Sequence, residues 1–342
     1  MATADATATT TTEPIVGRRR VPEAPNGTVI FLVGVVIALI LGSLISKTFG
    51  QTTVIGLVQG TSFASLAVAL VIIYRATGVF NFAQGEMATA TTYVMYQINT
   101  AWHVTYWLAF ALTMAFSFVF GAFCYVIFVR PVERRSIVAV IIITIALFLL
   151  IDGIVQWIFP PEPLYMTSPF SVNVAFGGLG VGVNWADVGT LLTTLGSVFL
   201  MFLLFNFTKL GLGMRAAAFR PGPARLVGVR VSRMLAIGWG IAAILGAVSG
   251  IMYEATQAYV LTPQLMSNVL LYSFVSATIG GLESPFGAVV GSLLFGIILS
   301  LAQQYVGFIG TELQVPFALA ILLVIFLFKP HGLFGKAEVA RV

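Results

Sequence analysis

Residues 74–97 read YRATGVFNFAQGEMATATTYVMYQ, with a polar turn set between two apolar runs. Asn81, Gln84 and Glu86 stand in this turn, which we call the first polar turn (residues 78–86). In bilayer hydrocarbon each such group costs several kcal/mol unless another group or water bonds to it. The stretch therefore predicts a chain that crosses a membrane and carries a polar feature with a role there.

The composition is typical of a polytopic α-helical membrane protein. Hydrophobic residues make up 59% of the 342 residues, charged residues make up 8%, and the mean hydropathy is +1.02. A soluble protein does not need so many apolar residues. Uninterrupted apolar runs such as residues 137–151 fit helices, because the strands of a membrane barrel alternate between lipid-facing and lumen-facing residues. We therefore expect an all-α fold.

The lengths of the apolar runs, and the polar, Gly and Pro residues that separate them, predict about ten membrane segments, since a full span needs roughly 20 residues. They are placed at residues 28–46, 53–75, 81–100, 104–129, 137–159, 187–208, 234–253, 267–282, 286–305 and 314–329. Residues 1–27 are predicted to be a disordered cytoplasmic tail, and residues 28–46 an extra N-terminal transmembrane helix. Residues 53–329 form the predicted transmembrane domain, and residues 330–342 a cytoplasmic C-terminal tail.

The distribution of Lys and Arg predicts the orientation, because these residues favour cytoplasmic loops. With the N-terminus inside, every one of the 17 cations except Lys47 falls in a predicted internal stretch. Both termini are therefore expected in the cytoplasm. The net charge of +5 then reflects membrane topology and gives no support for nucleic-acid binding, which would need a basic soluble domain.

Two connections between the predicted helices are long. The external one, residues 160–186, is rich in Pro and Gly and indicates a folded lid or docking surface. The internal one, residues 209–233, holds six cations, no acid and an apolar set at residues 226–229. A loop that only obeys the positive-inside rule explains the charge, whereas a cytoplasmic docking loop explains the apolar residues as well.

The first polar turn has two interpretations. Glu86 lies in the first turn of the following helix, where a carboxylate complements the positive end of the helix dipole. It would then simply cap that helix at the inner headgroup level. Alternatively, Asn81, Gln84 and Glu86 line the inner gate of a path through the membrane.

A second polar turn (residues 280–287, GGLESPFG) cannot stay helical through Pro285. Close helix packing through its glycines explains it, and a broken helix that faces a permeation path is the alternative. Its candidate path residues are Gly280, Gly281, Glu283 and Ser284. Residues 53–97 and 267–306 both run inward, turn at such a feature and run outward, which predicts an internal repeat.

Asp152 is the only acid well inside a predicted span, and Gln156 follows one helical turn along the same face. It is either a path residue or a satisfied structural carboxylate near the external mouth. An ion-gradient-driven secondary transporter, with Asp152 and Glu254 as coupling acids, is the alternative function.

Several signatures of other functions are missing from the sequence. No phosphate-binding loop occurs, since Gly335-Lys336 is followed by Ala337 rather than by a hydroxyl residue. The common signatures of hydrolases and proteases do not occur either. The single Cys124 cannot form an intrachain disulfide, and the two histidines lack paired metal-ligand spacing. We expect no enzyme, no bound cofactor and no metal.

Five stretches resemble, in the same order, motifs of the permease subunits of branched-chain amino acid ATP-binding cassette importers. They are FNFAQGE (80–86), RPVERRS (130–136), LGLGMRAAAFRPGPARLVGV (210–229), ATIGGLESPFGAVVGSLLFGI (277–297) and PHGLFGKAEV (330–339). The resemblance runs from about residue 53 to residue 340.

The resemblance implies a type II-like importer permease in a bacterial-type inner membrane. Its partners would be a second related permease, two cytoplasmic ATPase subunits that use the ATP, and an extracytoplasmic substrate-binding protein. The cargo would be a branched-chain amino acid or a related small polar solute. Both polar turns would border the path. The ATPase-coupling residues would be Arg215, Ala216, Ala217, Arg220, Arg225 and Gly228.

The chain departs from the family pattern in two motifs. Residues 219–223, Phe-Arg-Pro-Gly-Pro, replace the acidic residues that usually follow in the coupling segment. Gln84 stands where His is common, which removes a titratable group. The span at residues 28–46 is an N-terminal addition.

Overall fold

Apolar helices make up most of the chain in the computed structural model, which describes residues 27–133, 135–159, 162–175, 183–219, 221–310 and 312–335. In chain order the helices are α1 (Gly27–Ile45), α2 (Lys47–Thr77), α3 (Gln84–Tyr96), α4 (Tyr106–Cys124), α5 (Ile137–Ile158), α6 (Trp185–Phe207), α7 (Lys209–Phe219), α8 (Pro221–Leu226), α9 (Val231–Tyr253), α10 (Ser267–Gly280), α11 (Pro285–Tyr305) and α12 (Gln314–Phe328). Wider π-helical turns extend α3, α4 and α9 over Gln97–Ala101, Tyr125–Val129 and Glu254–Ala258. The all-α polytopic architecture expected from the sequence is present in these ranges.

Seven of the described helices are long and apolar enough to cross a membrane, namely α1, α2, α4, α5, α6, α9 and α11. The other predicted spans, at residues 81–100, 267–282 and 314–329, fall on the shorter helices α3, α10 and α12. A helix rises about 1.5 Å per residue, so α3 and α10 are about 20 Å long and shorter than a bilayer's ~30 Å hydrocarbon core. These two helices begin inside the protein.

The join between α1 and α2 differs from the sequence prediction, which left residues 47–52 outside a helix. α2 begins at Lys47, and Ser46 caps it by accepting a hydrogen bond from the Phe49 amide. At its other end α2 stops at Gly78, whose φ of +73° ends the helix without the steric cost of a Cβ. α2 is therefore longer at both ends than the predicted span at residues 53–75.

Helix α2 is the central element of the bundle, and its contact with α11 depends on glycine. A Cβ at Gly56 would lie 2.7 Å from the Ile297 Cα, and a Cβ at Gly60 would lie 2.6 Å from the Ser292 carbonyl oxygen. On the facing helix, a Cβ at Gly296 would collide with the Gly56 carbonyl oxygen. Small residues let the two backbones approach each other, which is how apolar helices gain packing energy in lipid.

Buried serine hydroxyls also join α2 to its neighbours. Each donates a hydrogen bond to a backbone carbonyl across a helix boundary, which satisfies a polar group that hydrocarbon would penalise. The pairs are Ser65 to Leu245 (2.7 Å), Ser249 to Ser62 (2.6 Å), Ser273 to Phe63 (3.2 Å) and Ser300 to Thr52 (2.9 Å). α9, α10 and α11 are thus fixed in register against α2.

Exposed tryptophans mark one end of the bundle. They are Trp102, Trp107, Trp157 and Trp185, which lie at the end of the α3 extension, the start of α4, the end of α5 and the start of α6. Successive helices that cross the bundle bring these positions to the same side. Tryptophan at such a level is typical of a membrane–water interface.

The glycine contact predicts that Gly60→Ala destabilises the protein by about 1–3 kcal/mol, because the added methyl group overpacks the α2–α11 boundary. Cys124, the single cysteine, is 1% exposed and therefore reports unfolding through a thiol-reactive dye. The matched control is Gly196→Ala, since no atom lies within 4 Å of a Cβ at Gly196. Equal midpoints of thermal unfolding for the two variants would contradict the role of the glycine.

Candidate functional site

Two helix N-termini meet inside the bundle. α3 begins at Gln84, directly after the first polar turn, and α10 begins at Ser267. Gly85 lies against the start of α10, where a Cβ would be 3.2 Å from the Met266 carbonyl oxygen and 3.1 Å from the Leu270 Cβ. Each N-terminus carries unpaired backbone amides and the positive end of a helix dipole. Their junction is a site that favours a negative group.

Glu86 supplies a carboxylate at this junction and is 1% exposed. Its Oε1 accepts a hydrogen bond from the Ser267 hydroxyl at 3.1 Å. Its Oε2 is buried and accepts no hydrogen bond from the part of the chain that the structure describes. Glu86 therefore both lies in the first turn of α3 and reaches α10, with one oxygen left for a further donor.

Asn81 and Gln84 are fully buried and are bonded to their surroundings. The Asn81 Nδ2 donates to the Gln84 Oε1 at 3.0 Å, and the Asn81 Oδ1 accepts from the Ala83 amide at 3.1 Å. The Gln84 Nε2 donates to the backbone carbonyl of Ala242, in the middle of α9, at 2.9 Å. These two amides hold the first polar turn against α9.

Asp152 lies level with Glu86 rather than at a separate depth. α5 packs beside α3, with the Phe159 and Tyr93 ring centroids 4.4 Å apart, and Asp152 and Glu86 each lie seven residues before these rings. Asp152 is half-buried, and its Oδ2 accepts from Gln156 at 2.8 Å. One of the two interpretations of each residue put Asp152 near the external mouth and Glu86 at the inner headgroup level, whereas the packing of α5 against α3 places the two residues at a similar level.

The second polar turn lies at the opposite end of α10, about 20 Å along the helix from Ser267. Gly281 has a φ of +104°, and the Ser284 hydroxyl caps α11 by accepting from the Gly287 amide at 2.9 Å. The Glu283 side chain is exposed. Gly280 packs against Gly287 so closely that a Cβ at Gly280 would overlap the Gly287 carbonyl. The structure therefore does not bring the two polar turns together.

A C-terminal strap, residues 331–335, covers the second polar turn. The Leu333 and Phe334 amides donate to the Ile279 and Gly280 carbonyl oxygens at 2.8 and 3.0 Å. These bonds satisfy carbonyls that the end of α10 leaves free. The strap accounts for the PHGLFG part of the C-terminal motif, whose role the sequence did not show.

The described part of the external connection, residues 162–175 and 183–184, is fastened over the outer ends of α3 and α9. The Met166 amide donates to the Glu254 Oε1 at 3.4 Å, and the Thr167 hydroxyl donates to the Asn99 Oδ1 at 2.8 Å. Leu164 forms a short antiparallel bridge with Leu261. Asn99 and Ser267 were not among the predicted site residues, although each is a polar residue at the end of an apolar run.

The internal connection is helical over α7 and α8. Leu226, the last residue of α8, and Val227, the residue after it, are 89% and 79% exposed. Arg215, Arg225 and Gly228 are exposed as well, Ala216 is half-buried and Ala217 is buried. The predicted Arg220 lies outside the described residues. Leu226 and Val227 are therefore apolar side chains that do not pack into the bundle.

Comparison with known proteins gives a family. Residues 52–328 match the family described as "Branched-chain amino acid transport system / permease component". The high-affinity branched-chain amino acid transport system permease protein LivH of Escherichia coli (strain K12) is 24% identical over 299 residues, 84% of this chain and 96% of its own length. The corresponding permease protein BraD of Pseudomonas aeruginosa is 24% identical over 303 residues, 85% of this chain and 97% of its own length. The solved structure of PsaBC from Streptococcus pneumoniae in complex with Fab gives a TM-score of 0.44 at 12% identity, over 87% of this chain and 98% of that chain.

The bonding of the first polar turn predicts that Gln84→Leu costs about 1–3 kcal/mol of stability, because the Asn81 amide loses its acceptor in a buried site. The thermal midpoint measured through Cys124 should fall. Gln156→Leu is the control, since Gln156 is exposed on α5. If the Gln84 variant unfolds at the same temperature as the Gln156 variant, the bond to α9 does not hold the turn.

Proposed function

Since the chain belongs to the family of permease components of branched-chain amino acid transport systems, we propose that it forms one half of the membrane path of an ATP-binding cassette importer. The family match over residues 52–328 is the observation that carries this conclusion, because it includes both polar turns and the internal connection. The chain is a multi-pass protein of the cytoplasmic membrane. Branched-chain amino acids, or related small polar solutes, are the proposed cargo.

The proposed path runs beside Glu86 and Asp152. The Glu86 Oε2 has no partner among the described residues, so a donor such as a cargo ammonium group could bond to it once the path opens. α5, which carries Asp152, exposes much of its surface, and a second permease subunit would cover it and complete the path. Asn81 and Gln84 would set the position of the path wall.

The second polar turn would border the inner end of the same path. Gly280 and Gly281 let α10 and α11 approach each other there, Ser284 fixes the start of α11, and Glu283 is exposed. Movement of this helix pair would widen or close the inner end. Such a movement is a shift between two discrete packings rather than a continuous deformation.

The proposed topology is type II-like, with ten full or partial spans and both termini in the cytoplasm. The Thr28 hydroxyl donates to the Leu333 carbonyl at 3.1 Å, so the start of α1 and the C-terminal strap lie at the same end. The exposed tryptophans lie at the other end, which is proposed as the outer interface. At this end, the described part of the external connection over α3 and α9 would meet an extracytoplasmic binding protein.

Arg215, Arg225, Leu226 and Val227 form what we call the coupling surface. It is proposed to dock on one of two cytoplasmic ATPase subunits, which bind and use the ATP. Leu226 and Val227 would enter an apolar groove, and Arg215 and Arg225 would face acidic groups around it. The Val229 amide donates to the Ala224 carbonyl at 3.0 Å, which closes the end of α8 two residues before α9 begins. Because Gln84 bonds α9 at Ala242, movement of the docked coupling surface would reach the first polar turn.

Leu226→Glu should therefore reduce ATP-dependent uptake by at least tenfold, because burying an unpaired carboxylate in the ATPase groove costs more than the roughly 1.4 kcal/mol that a tenfold change represents. The ATPase should also co-purify less well. Leu226→Met, which keeps an apolar side chain, is the matched control. Membrane insertion of both variants is checked by immunoblot, and undiminished uptake with Glu at this position would disprove the docking role.

The topology predicts the labelling of two engineered cysteines by a membrane-impermeant maleimide. Val172→Cys, at a position 67% exposed in the external connection, should react in intact cells. Val227→Cys should react only in inverted vesicles, prepared from cells that express the permease without the ATPase subunits that would cover this position. The buried Cys124 gives a low background. The reverse pattern would place the coupling surface outside and remove the basis of the proposed mechanism.

A further inference from the structure

A cleft of about 430 Å³ opens at the inner end of α4 and is lined by Val126, Arg130, Pro131 and Glu133. It lies between the π-helical turn Tyr125–Val129 and the start of α5. Its residues belong to the RPVERRS motif and to the turn before it, and the proposed transport path does not use them. π-helical turns occur often at functional sites.

The acidic side of the cleft is held in place by buried structure. Tyr125 is fully buried, and its hydroxyl donates to the Glu133 Oε2 at 2.7 Å. The Tyr125 ring packs against Trp239, with centroids 6.0 Å apart. The Val132 and Glu133 amides both donate to the Val129 carbonyl, at 3.0 and 2.9 Å. Glu133 therefore presents its carboxylate to the cleft from a fixed position.

The other residues that line the cleft lie between the exposed apolar surface of α4 and the exposed end of its π-helical turn. Val126 is 38% exposed, and the neighbouring Phe123 and Ile127 are 52% and 51% exposed on the outer surface of α4. Arg130 is exposed at the end of the π-helical turn. Among the described residues that line it, the cleft has the Arg130 guanidinium and the Glu133 carboxylate, next to exposed apolar side chains of α4 and its π-helical extension.

We propose that this cleft binds the headgroup of phosphatidylethanolamine. The phosphate would take hydrogen bonds from Arg130, the primary ammonium would donate to Glu133, and an acyl chain would lie along Val126. A cleft lined by Arg130 and Glu133 matches a zwitterion, whereas an anionic headgroup can pair its phosphate with Arg130 but has no ammonium group to donate to the Glu133 carboxylate. Phosphatidylcholine has the same charges, but its quaternary ammonium has no hydrogen to donate.

The test compares lipids on the intact complex, with the permease co-expressed and purified with its partner subunits. Native mass spectrometry of the complex, in detergent or in nanodiscs of defined lipid composition, measures the binding of phosphatidylethanolamine, phosphatidylcholine and phosphatidylglycerol. Free leucine is added as a soluble zwitterion that could compete for the cleft. Phosphatidylethanolamine should bind about tenfold more tightly than either other lipid, the size expected for one charge-assisted hydrogen bond. Leucine should not displace it.

Variants separate this site from general attraction to the basic inner face. Arg130→Ala and Glu133→Gln should each abolish the preference, and the amide of Gln still accepts the bond from Tyr125. Arg135→Ala is the control, because Arg135 is exposed on the same turn but does not line the cleft. Equal or tighter binding of phosphatidylglycerol, displacement by leucine, or an equal loss in the Arg135 variant would overturn the proposal.

Discussion

Close contact between helix backbones along α2 is the interaction on which the rest of the structure depends. Lipid is as apolar as the helix surfaces, so burial of apolar area does not hold the helices together in a membrane. Glycines at 56, 60 and 296 bring α2 and α11 together, and serine hydroxyls bond backbone carbonyls between α2 and α9, α10 and α11. These contacts combine dispersion energy with satisfied polar groups, which are the two sources of stability that hydrocarbon leaves available.

The rigid frame around α2 allows polar groups to be placed inside the bundle. Because α9 and α10 are held against α2, the Ala242 carbonyl and the Ser267 hydroxyl stand where the first polar turn meets them. The amides of Asn81 and Gln84 are then paired, and Glu86 rests between two helix N-termini. The cost of burying these groups is offset by hydrogen bonds within the turn and to α9 and α10, and the Glu86 Oε2 is left without a partner among the described residues.

Some features of the site were readable from the sequence and others were not. The sequence shows the first polar turn and Asp152 as polar groups within apolar runs. It shows residues 226–229 as an apolar set within a basic connection. Ser267 and Asn99 did not, because a single small polar residue at the end of a span is ordinary in any membrane helix. The depth of Asp152 was judged from its position along one helix, but its level relative to Glu86 depends on how α5 packs against α3.

The sequence by itself determined that the chain is an all-α membrane protein, because runs of apolar residues can satisfy their backbone in lipid only as helices. Its five ordered motifs also indicated the family. Only the tertiary structure decided that α3 and α10 start inside the bundle, that their N-termini meet at Glu86, and that the second polar turn is closed by the C-terminal strap. The physical reason is that these features depend on hydrogen bonds and contacts between residues far apart in the chain, and a one-dimensional pattern of hydrophobicity carries no record of which helices become neighbours.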